Sequence, residues 1–211
     1  MADSPCITSV TADPREPDLR LVHCGDRCVA RVRRIDVETL GLRVGEPLDA
    51  SRRGQLELAG RRVALRLRAI RSLSRAAASR ARLESRLATH GTEEDIGIVL
   101  DGLAEDGILD DARAAAQLVV ETLRKEPVGR ARLMQMLTSR GFTQDHAAHA
   151  VDAAMQDRDG HHDLEEATRR AARGLKGLPR EVAARRLAGR LARRGFDEDA
   201  VAEAIRTILP E

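Results

Sequence analysis

The apolar positions of the chain follow two different periods, and the change falls near residue 60. Before it, two short β-rich runs, Leu19–Cys24 and Cys28–Val32, flank the turn-forming pair Gly25-Asp26, which is typical of a β-hairpin. After it, apolar residues recur every three or four positions, as on one face of a helix. The pattern therefore predicts a small β-hairpin-containing module over residues 1–60 and a helical remainder.

A motif of the form R-L-x3-L-x3-G occurs three times in the helical part. Its copies are Arg82-Leu83-Leu87-Gly91, Arg132-Leu133-Leu137-Gly141 and Arg186-Leu187-Leu191-Gly195. Each Leu pair forms an apolar stripe too narrow to make a core alone, so each unit must pack against its neighbours. We expect each Gly to adopt a left-handed turn after its helix, with Phe142 and Phe196 packing the second and third turns onto their own helices.

One further helix precedes each copy of the motif, and another follows it. The preceding helices are predicted at roughly Val63–Ala78, Asp111–Lys125 and Leu164–Lys176. We therefore expect a mainly α fold of three tandem three-helix repeats, at residues 61–109, 110–160 and 161–211. Because each such unit contacts its neighbours, the repeats are expected to form an elongated, curved array.

Local signals mark where several helices begin and end. Ile35–Leu40 has the pattern of a short helix that stops at Gly41. Ser79 is the expected N-cap of the helix that carries the first motif. Asp110 and Asp111 could be paired carboxylates for metal or acid–base chemistry. At a helix start, however, acids cap free N–H groups and offset the positive end of the dipole, and we interpret the pair in that way.

The formal net charge is only +2, but the cations are concentrated in two segments. Arg61–Arg86 contains nine arginines against Glu84, and Arg169–Arg194 contains ten cations against Glu181. Such segments are either solvated helix faces or basic surfaces for a polyanion or an acidic protein groove. With two Phe and no Trp or Tyr, the chain lacks the aromatic rows on which many single-strand binders stack bases.

Six arginines adjoin the motif leucines and are our candidate partner-binding residues. Because the leucines are expected to point inward, neighbouring positions on the same helices face outward. A guanidinium group is suited to bidentate contact with carboxylate or phosphate. The candidates are Arg80, Arg82, Arg130, Arg132, Arg185 and Arg186.

Two further segments, together with the triple repeat, resemble the RecX family, whose members regulate the recombinase RecA. The segments are Leu40-Gly41-Leu42-Arg43-Val44-Gly45 and Gly107-Ile108-Leu109-Asp110-Asp111-Ala112-Arg113. The resemblance covers most of the chain. It fails at Ala114 and Ala115, because the family usually places an aromatic residue after that Arg.

The resemblance implies a regulator and not an enzyme. Family members lie in the helical groove of the RecA–DNA filament and modulate, mostly by inhibition, its ATPase activity, its extension and its strand exchange. These reactions belong to homologous recombination and the SOS response. We therefore expect a monomer that binds the RecA filament and needs no cofactor. Direct contact with single- or double-stranded DNA is compatible with this expectation but is not required by it.

Catalytic and metal sites find little support in the sequence. Neither a phosphate-binding P-loop nor a nucleophile elbow is present. His23, Cys24 and Cys28 could form half of a metal site, to which Cys6 could add a ligand. No second CxxC-type pair completes the four ligands that a structural zinc site usually needs. Gly160–Asp163 contains two adjacent histidines, which point in different directions on a helix, and we interpret it as a loop and N-cap. We predict no catalytic residue and no metal ligand.

A helical DNA-binding protein or transcription regulator is the alternative. Helix-turn-helix units also join two helices through a turn that often contains Gly. Three in-line copies do not resemble one recognition unit, and the near-neutral charge differs from the basic balance typical of DNA-binding domains. A DNA-binding function therefore ranks second.

The sequence also carries a prediction about location. No apolar run approaches the roughly 20 residues that a membrane-spanning helix needs. Residues 1–5 lack the basic and apolar stretches of a signal peptide. We expect a cytoplasmic protein with no membrane partner.

Overall fold

The computed structural model describes residues 6–156, 158–175 and 177–209. Within these ranges a three-stranded sheet is followed by ten α-helices, so the fold is mainly α, as predicted. Residues 1–5 and Lys176, which entered the predictions above, lie outside the described residues. None of the described helices is both long enough and apolar enough to cross a membrane.

The sheet is antiparallel and its strands are adjacent in chain order. Its strands are β1 (Ser9–Ala12), β2 (Leu19–Cys24) and β3 (Arg27–Arg33). Leu19 pairs with Arg33 at the open end of the β2–β3 hairpin. Gly25, in the turn, has a φ of +61°, a conformation that glycine adopts without a Cβ clash. The predicted hairpin is confirmed.

Helix α1 (Arg34–Thr39) follows β3 directly, and Gly41 ends it in a left-handed conformation, as predicted. Helix α2 (Ala50–Leu73) begins thirteen residues before the predicted start at Val63 and ends five residues before Ala78. Of its residues before Val63 only Leu56 is buried, and one buried residue does not make a period. Leu56 packs into the N-terminal core. The other buried members of that core are Ile7, Val22, Val32, Leu42 and Leu48.

Eight further helices follow α2 in the described part of the chain. They are α3 (Arg80–Leu87), α4 (Glu93–Glu105), α5 (Asp111–Lys125), α6 (Arg130–Thr138), α7 (Gln144–Met155), α8 (Gly160–Ala172), α9 (Arg180–Arg193) and α10 (Glu198–Ile208). A 3-10 turn, Arg173–Leu175, extends α8.

The motif leucines are buried in all three copies. They are Leu83, Leu87, Leu133, Leu137, Leu187 and Leu191. Gly141 and Gly195 have φ angles of +84° and +77°, which confirms the left-handed turn in the second and third copies. Phe142 and Phe196 pack against the cores that contain their own motif leucines, as predicted.

The first copy departs from this scheme at Gly91. Helix α3 ends at Leu87, four residues earlier, and Gly91 does not have a positive φ. A Cβ atom on Gly91 would lie 2.7 Å from Cδ1 of the buried Leu65. The glycine therefore provides space for a neighbouring side chain, and its predicted role as a left-handed helix end is wrong.

The chain forms two compact units. One extends to Ser72 and includes Glu84–Ile108, and the other comprises Leu73–Leu83 and the chain from Leu109 onward. The second unit contains one core from α5, α6 and α7, centred on Val119 and Val151, and another from α8, α9 and α10, centred on Leu187. Each core is closed by three consecutive helices.

Candidate functional site

Arg80 and Arg82 lie in the first turn of α3, where three polar contacts fix the backbone. The buried Ser79 accepts a hydrogen bond from the Arg82 N–H at 3.2 Å, which confirms it as the N-cap, and its hydroxyl donates to the Arg140 carbonyl at 2.7 Å. The Asp111 carboxylate accepts from the Arg80 N–H at 2.9 Å. Arg80 is half-buried, whereas Arg82 is exposed.

Arg130 and Arg132 occupy the equivalent turn of α6, and both are exposed. The Arg130 guanidinium forms an ion pair with Asp152 on α7. This hydrogen-bonded pairing raises the pKa of Arg130 and lowers the pKa of Asp152. Arg132 donates through Nη1 to the side-chain oxygen of Gln135 at 3.1 Å, so it has a neutral partner.

Arg185 and Arg186 lie in the middle of α9, and both are exposed. Leu187 follows them and is fully buried, so the predicted outward position is confirmed. Within the described residues, neither guanidinium has a hydrogen-bond or ion-pair partner. By contrast, Arg190 on the same helix donates to the Ala171 carbonyl at 2.8 Å. Arg185 and Arg186 are therefore available to an external anion.

The six candidate arginines do not enclose a single pocket, since they lie in pairs on three helices. Cations in the first turn of a helix oppose its macrodipole, so the pairs on α3 and α6 do not stabilise their own helices. Acids partly compensate for them: Asp111 beside Arg80 and Asp152 beside Arg130. The sequence did not predict either contact, because the partners are 31 and 22 residues apart in the chain. Whether these arginines bind a partner stays a prediction.

The remaining candidate motifs are structural. Asp110 is the N-cap of α5 and accepts from the Arg113 N–H at 2.9 Å, as the capping interpretation predicted. The predicted loop at Gly160–Asp163 is wrong, because these residues form the first turn of α8 and Asp159 is its N-cap. Asp159 accepts from two backbone N–H groups, which suffices to start the helix there. The part of the chain that the structure describes contains no cluster of three or more His, Cys, Asp or Glu residues suited to a metal.

Ala114 and Ala115 have different surroundings on α5. Ala115 is fully buried in the core that also contains Val119 and Leu123. Ala114 is half-buried against the same core. Ala114, the first residue after Arg113, therefore presents only a methyl group where the sequence resemblance would have led us to expect an aromatic ring.

Comparison with known proteins finds relatives over much of the chain. Regulatory protein RecX of Chromohalobacter salexigens is 37% identical over 138 residues, which span 65% of this chain and 88% of that protein. Regulatory protein RecX of Thermobifida fusca is 37% identical over 133 residues, spanning 60% of this chain and 69% of that protein. The Leptothrix cholodnii protein of the same name is 40% identical over 105 residues, which span 49% of this chain and 61% of that protein. No family model matches the chain.

Solved structures show the same fold. A crystal structure of regulatory protein RecX matches with a TM-score of 0.78 at 17% identity, covering 96% of this chain and 99% of that one. The crystal structure of RecX from Lactobacillus salivarius matches with a TM-score of 0.61 at 16% identity, covering 70% of this chain and 96% of that one. At these identities the structures establish the fold, and the sequence relatives establish the family. The chain belongs to the RecX family of regulatory proteins.

Proposed function

We propose that this chain is a non-catalytic regulator that binds the RecA–DNA filament and inhibits its ATPase activity, extension and strand exchange. The observation that carries this proposal is the 37% identity to a regulatory protein RecX over 88% of that protein's length. The chain would act as a cytoplasmic monomer in homologous recombination and the SOS response. No cofactor is required for inhibition by binding.

Exposed arginines supply the contact chemistry in this proposal. Arg185 and Arg186 carry two adjacent guanidinium groups with no anionic partner among the described residues, and each group can make a bidentate contact with a carboxylate or phosphate. Arg82 and Arg132 add single exposed cations beside buried leucines on α3 and α6. The Arg-Leu pair occurs in all three copies of the motif. Such repetition suits a filament, because a filament presents the same subunit surface at regular intervals.

Direct DNA binding is the competing function, because exposed guanidinium groups also suit phosphates. The two functions differ in their response to salt. Binding driven by phosphate contacts releases counterions and weakens by orders of magnitude between roughly 50 and 200 mM salt. Binding to a protein filament through mixed contacts should depend on salt much less.

The test compares the full chain on bare and RecA-coated DNA. A fluorescent single-stranded oligonucleotide would be titrated with and without the cognate RecA and a non-hydrolysable ATP analogue, at both salt concentrations. We expect tight binding to the coated strand at about 200 mM salt and little binding to the bare strand. Equal affinity for both forms, lost together as salt rises, would contradict the proposal and support the DNA-binding alternative.

A further inference from the structure

The motif arginine of the first copy lies beside an arginine of the second copy. Ser79 joins their backbones, because its hydroxyl accepts from the Arg82 N–H at 3.2 Å and donates to the Arg140 carbonyl at 2.7 Å. Arg82 is in the first turn of α3, and Arg140 is in the turn after α6. One hydroxyl group therefore holds these two arginines at one place on the second compact unit.

Gly129 makes the same connection one copy later, with backbone atoms in place of a hydroxyl. Its N–H donates to the Arg194 carbonyl at 2.8 Å, and its carbonyl accepts from the Arg132 N–H at 3.2 Å. Arg132 is in the first turn of α6, and Arg194 follows α9. Different bonds thus produce the same pairing of two arginines twice. We call Arg82 with Arg140 the first arginine junction and Arg132 with Arg194 the second.

The first arginine junction carries two guanidinium groups without a bound acid. Arg82 is exposed and Arg140 is half-buried, and within the described residues neither side chain has a hydrogen-bond or ion-pair partner. The carboxylate of Asp111 accepts instead from the backbone N–H of Arg80. Two cations held on adjacent backbones repel each other, and an anion that contacts both of them offsets this repulsion.

The second arginine junction also has unused donors. The exposed Arg132 has only the neutral side chain of Gln135 as a partner. Arg194 contacts the carboxylate of Glu126 through Nη2 at 3.4 Å, but its Nη1 is buried and has no hydrogen-bond partner in the described part of the chain. A buried donor without an acceptor costs free energy, so this junction too is completed by an external anion.

The surroundings of the junctions favour phosphate over the other anionic partners. On α3, α6 and α9, which are described in full, no large aliphatic side chain is exposed. Protein interfaces centre on buried apolar or aromatic anchors, so an acidic protein surface would find none here. Single-strand binders stack bases on aromatic rings, whereas Phe142 and Phe196 pack against their own cores. The phosphates of a duplex need neither anchor nor ring.

The distance between the two junctions is compatible with one nucleic-acid strand. The chain from Arg132 to Arg140 runs along α6, and at roughly 1.5 Å per residue it covers about 12 Å. Each strand of a duplex carries one phosphate per roughly 3.4 Å of helix axis. Several phosphates therefore fall within the span, and both junctions can contact the same backbone at once without reading a particular sequence.

We propose that the two arginine junctions bind the phosphate backbone of a nucleic-acid duplex without base-specific contacts. The motif arginine of each junction supplies an exposed guanidinium group, and the arginine beside it supplies further donors to the same backbone. This inference goes beyond the regulation of RecA. Duplex binding is measured without RecA and RecA inhibition without a duplex, so the failure of one does not imply the failure of the other.

The test measures binding of the full chain to a short fluorescent DNA duplex between roughly 50 and 200 mM salt. The logarithm of the affinity should fall linearly with the logarithm of the salt concentration, because each phosphate contact releases a counterion. Arg82→Gln/Arg140→Gln should weaken binding at low salt about tenfold and reduce the slope by about 2, one for each lost contact. A purely structural role for these arginines would leave the slope unchanged.

Arg169→Gln/Arg170→Gln on α8 is the matched control, with the same change in net charge in the same compact unit. Both arginines already form ion pairs, with Glu165 and Glu166, so they are not free for phosphate. This variant should keep the salt slope of the unsubstituted protein. An unchanged slope in the junction variant, or an equal loss of slope in the control, would overturn the proposal once circular dichroism shows that both variants are folded.

Arg132→Gln tests the second junction separately and should reduce the slope by about 1. Its side chain is exposed and bound only to Gln135, so the substitution should not affect folding. Poly-glutamate and a single-stranded oligonucleotide are the competing probes. If poly-glutamate binds as tightly as the duplex, the junctions fit an acidic protein surface and the proposal is overturned. Equal affinity for the single strand would also overturn it.

Discussion

Gly195 packs so closely on Arg132 that a Cβ atom at Gly195 would lie 2.2 Å from the Arg132 backbone nitrogen. Beside this contact, the Gly129 N–H donates to the Arg194 carbonyl at 2.8 Å. The turn after α9 therefore rests directly on the start of α6. A side chain at position 195 would force the backbones of two helix ends apart.

The same arrangement joins the turn after α6 to the start of α3. A Cβ atom on Gly141 would lie 2.9 Å from Oγ of Ser79 and 3.3 Å from Cβ of Ala81. Ser79 donates to the Arg140 carbonyl, just as Gly129 donates to that of Arg194. The motif glycine of the second and third copies thus has two functions, a left-handed turn and a close helix-to-helix contact.

Gly195→Ala should destabilise the second compact unit strongly. Alanine at a φ of +77° is strained, and the new Cβ would collide with backbone atoms of Arg132. We expect the free energy of unfolding in urea to fall by about 3 kcal/mol. Gly189→Ala, inside α9, is the matched control and should raise it by roughly 0.5–1 kcal/mol. Equal effects of the two substitutions would contradict the contact described here.

Arg158 and Asp163 form a bidentate ion pair at the start of α8, with N–O distances of 2.6 and 2.8 Å. The Asp163 side chain is only 8% exposed, so Arg158→Ala leaves a carboxylate without its partner. We expect a loss of about 2 kcal/mol, below the value for fully buried pairs because Arg158 is partly solvated. Urea denaturation of the two proteins measures this loss in the free energy of unfolding. The double variant Arg158→Ala/Asp163→Asn should recover most of the loss, and no recovery would show that the charge is not the cause.

The ion pair of Arg130 with Asp152 predicts a specific pH dependence. The hydrogen bond from Arg130 holds the pKa of Asp152 below its ordinary value, so the pair stabilises the fold above that ordinary value. The contribution is lost as the pH falls through the lowered pKa, and it is small because both groups are exposed and screened by salt. Carboxyl NMR titration should show the lowered pKa. Arg130→Gln should raise the pKa of Asp152 toward its ordinary value, whereas Arg132→Gln should leave it low.

Charge reversal tests the partner-binding arginines on α9. Arg185→Glu/Arg186→Glu should raise the concentration needed for half-inhibition of RecA by about tenfold, because two exposed cations become anions facing the same partner. The helical circular dichroism signal should not change, since neither side chain contributes to the core. Arg43→Glu/Arg53→Glu gives the same change in net charge at exposed positions of the other unit. A similar loss of RecA inhibition in that control variant would contradict the assignment of partner binding to Arg185 and Arg186 on α9.

The hydrophobic period predicted the repeated cores because burial of a narrow stripe leaves a regular trace in the sequence. Leu133 and Leu187, chosen on spacing alone, are fully buried. The period could not predict the early turns of α2, where Leu56 is the only buried residue before Val63. The period also could not show that Gly91 and Gly141 have different roles. Gly91 makes room for the side chain of Leu65, whereas Gly141 forms a left-handed turn.

The candidate site was predictable only in its exposed positions. The outward location of Arg185 and Arg186 follows from helix geometry beside Leu187. The partners of Arg80 and Arg130 do not, because contacts between residues far apart in the chain depend on how the helices pack. The pocket lined by Asp36, Val63 and Ile98 escaped the sequence predictions for the same reason, because it joins residues of three helices.

Regulation of RecA by this protein is measured through single-strand-DNA-dependent ATP hydrolysis by the cognate RecA, with this protein titrated in. We predict inhibition well below one copy per RecA monomer, because a bound regulator that blocks filament extension acts on more subunits than it contacts. No effect at molar excess, with the added protein shown to be folded by circular dichroism, would contradict the proposed regulation of RecA.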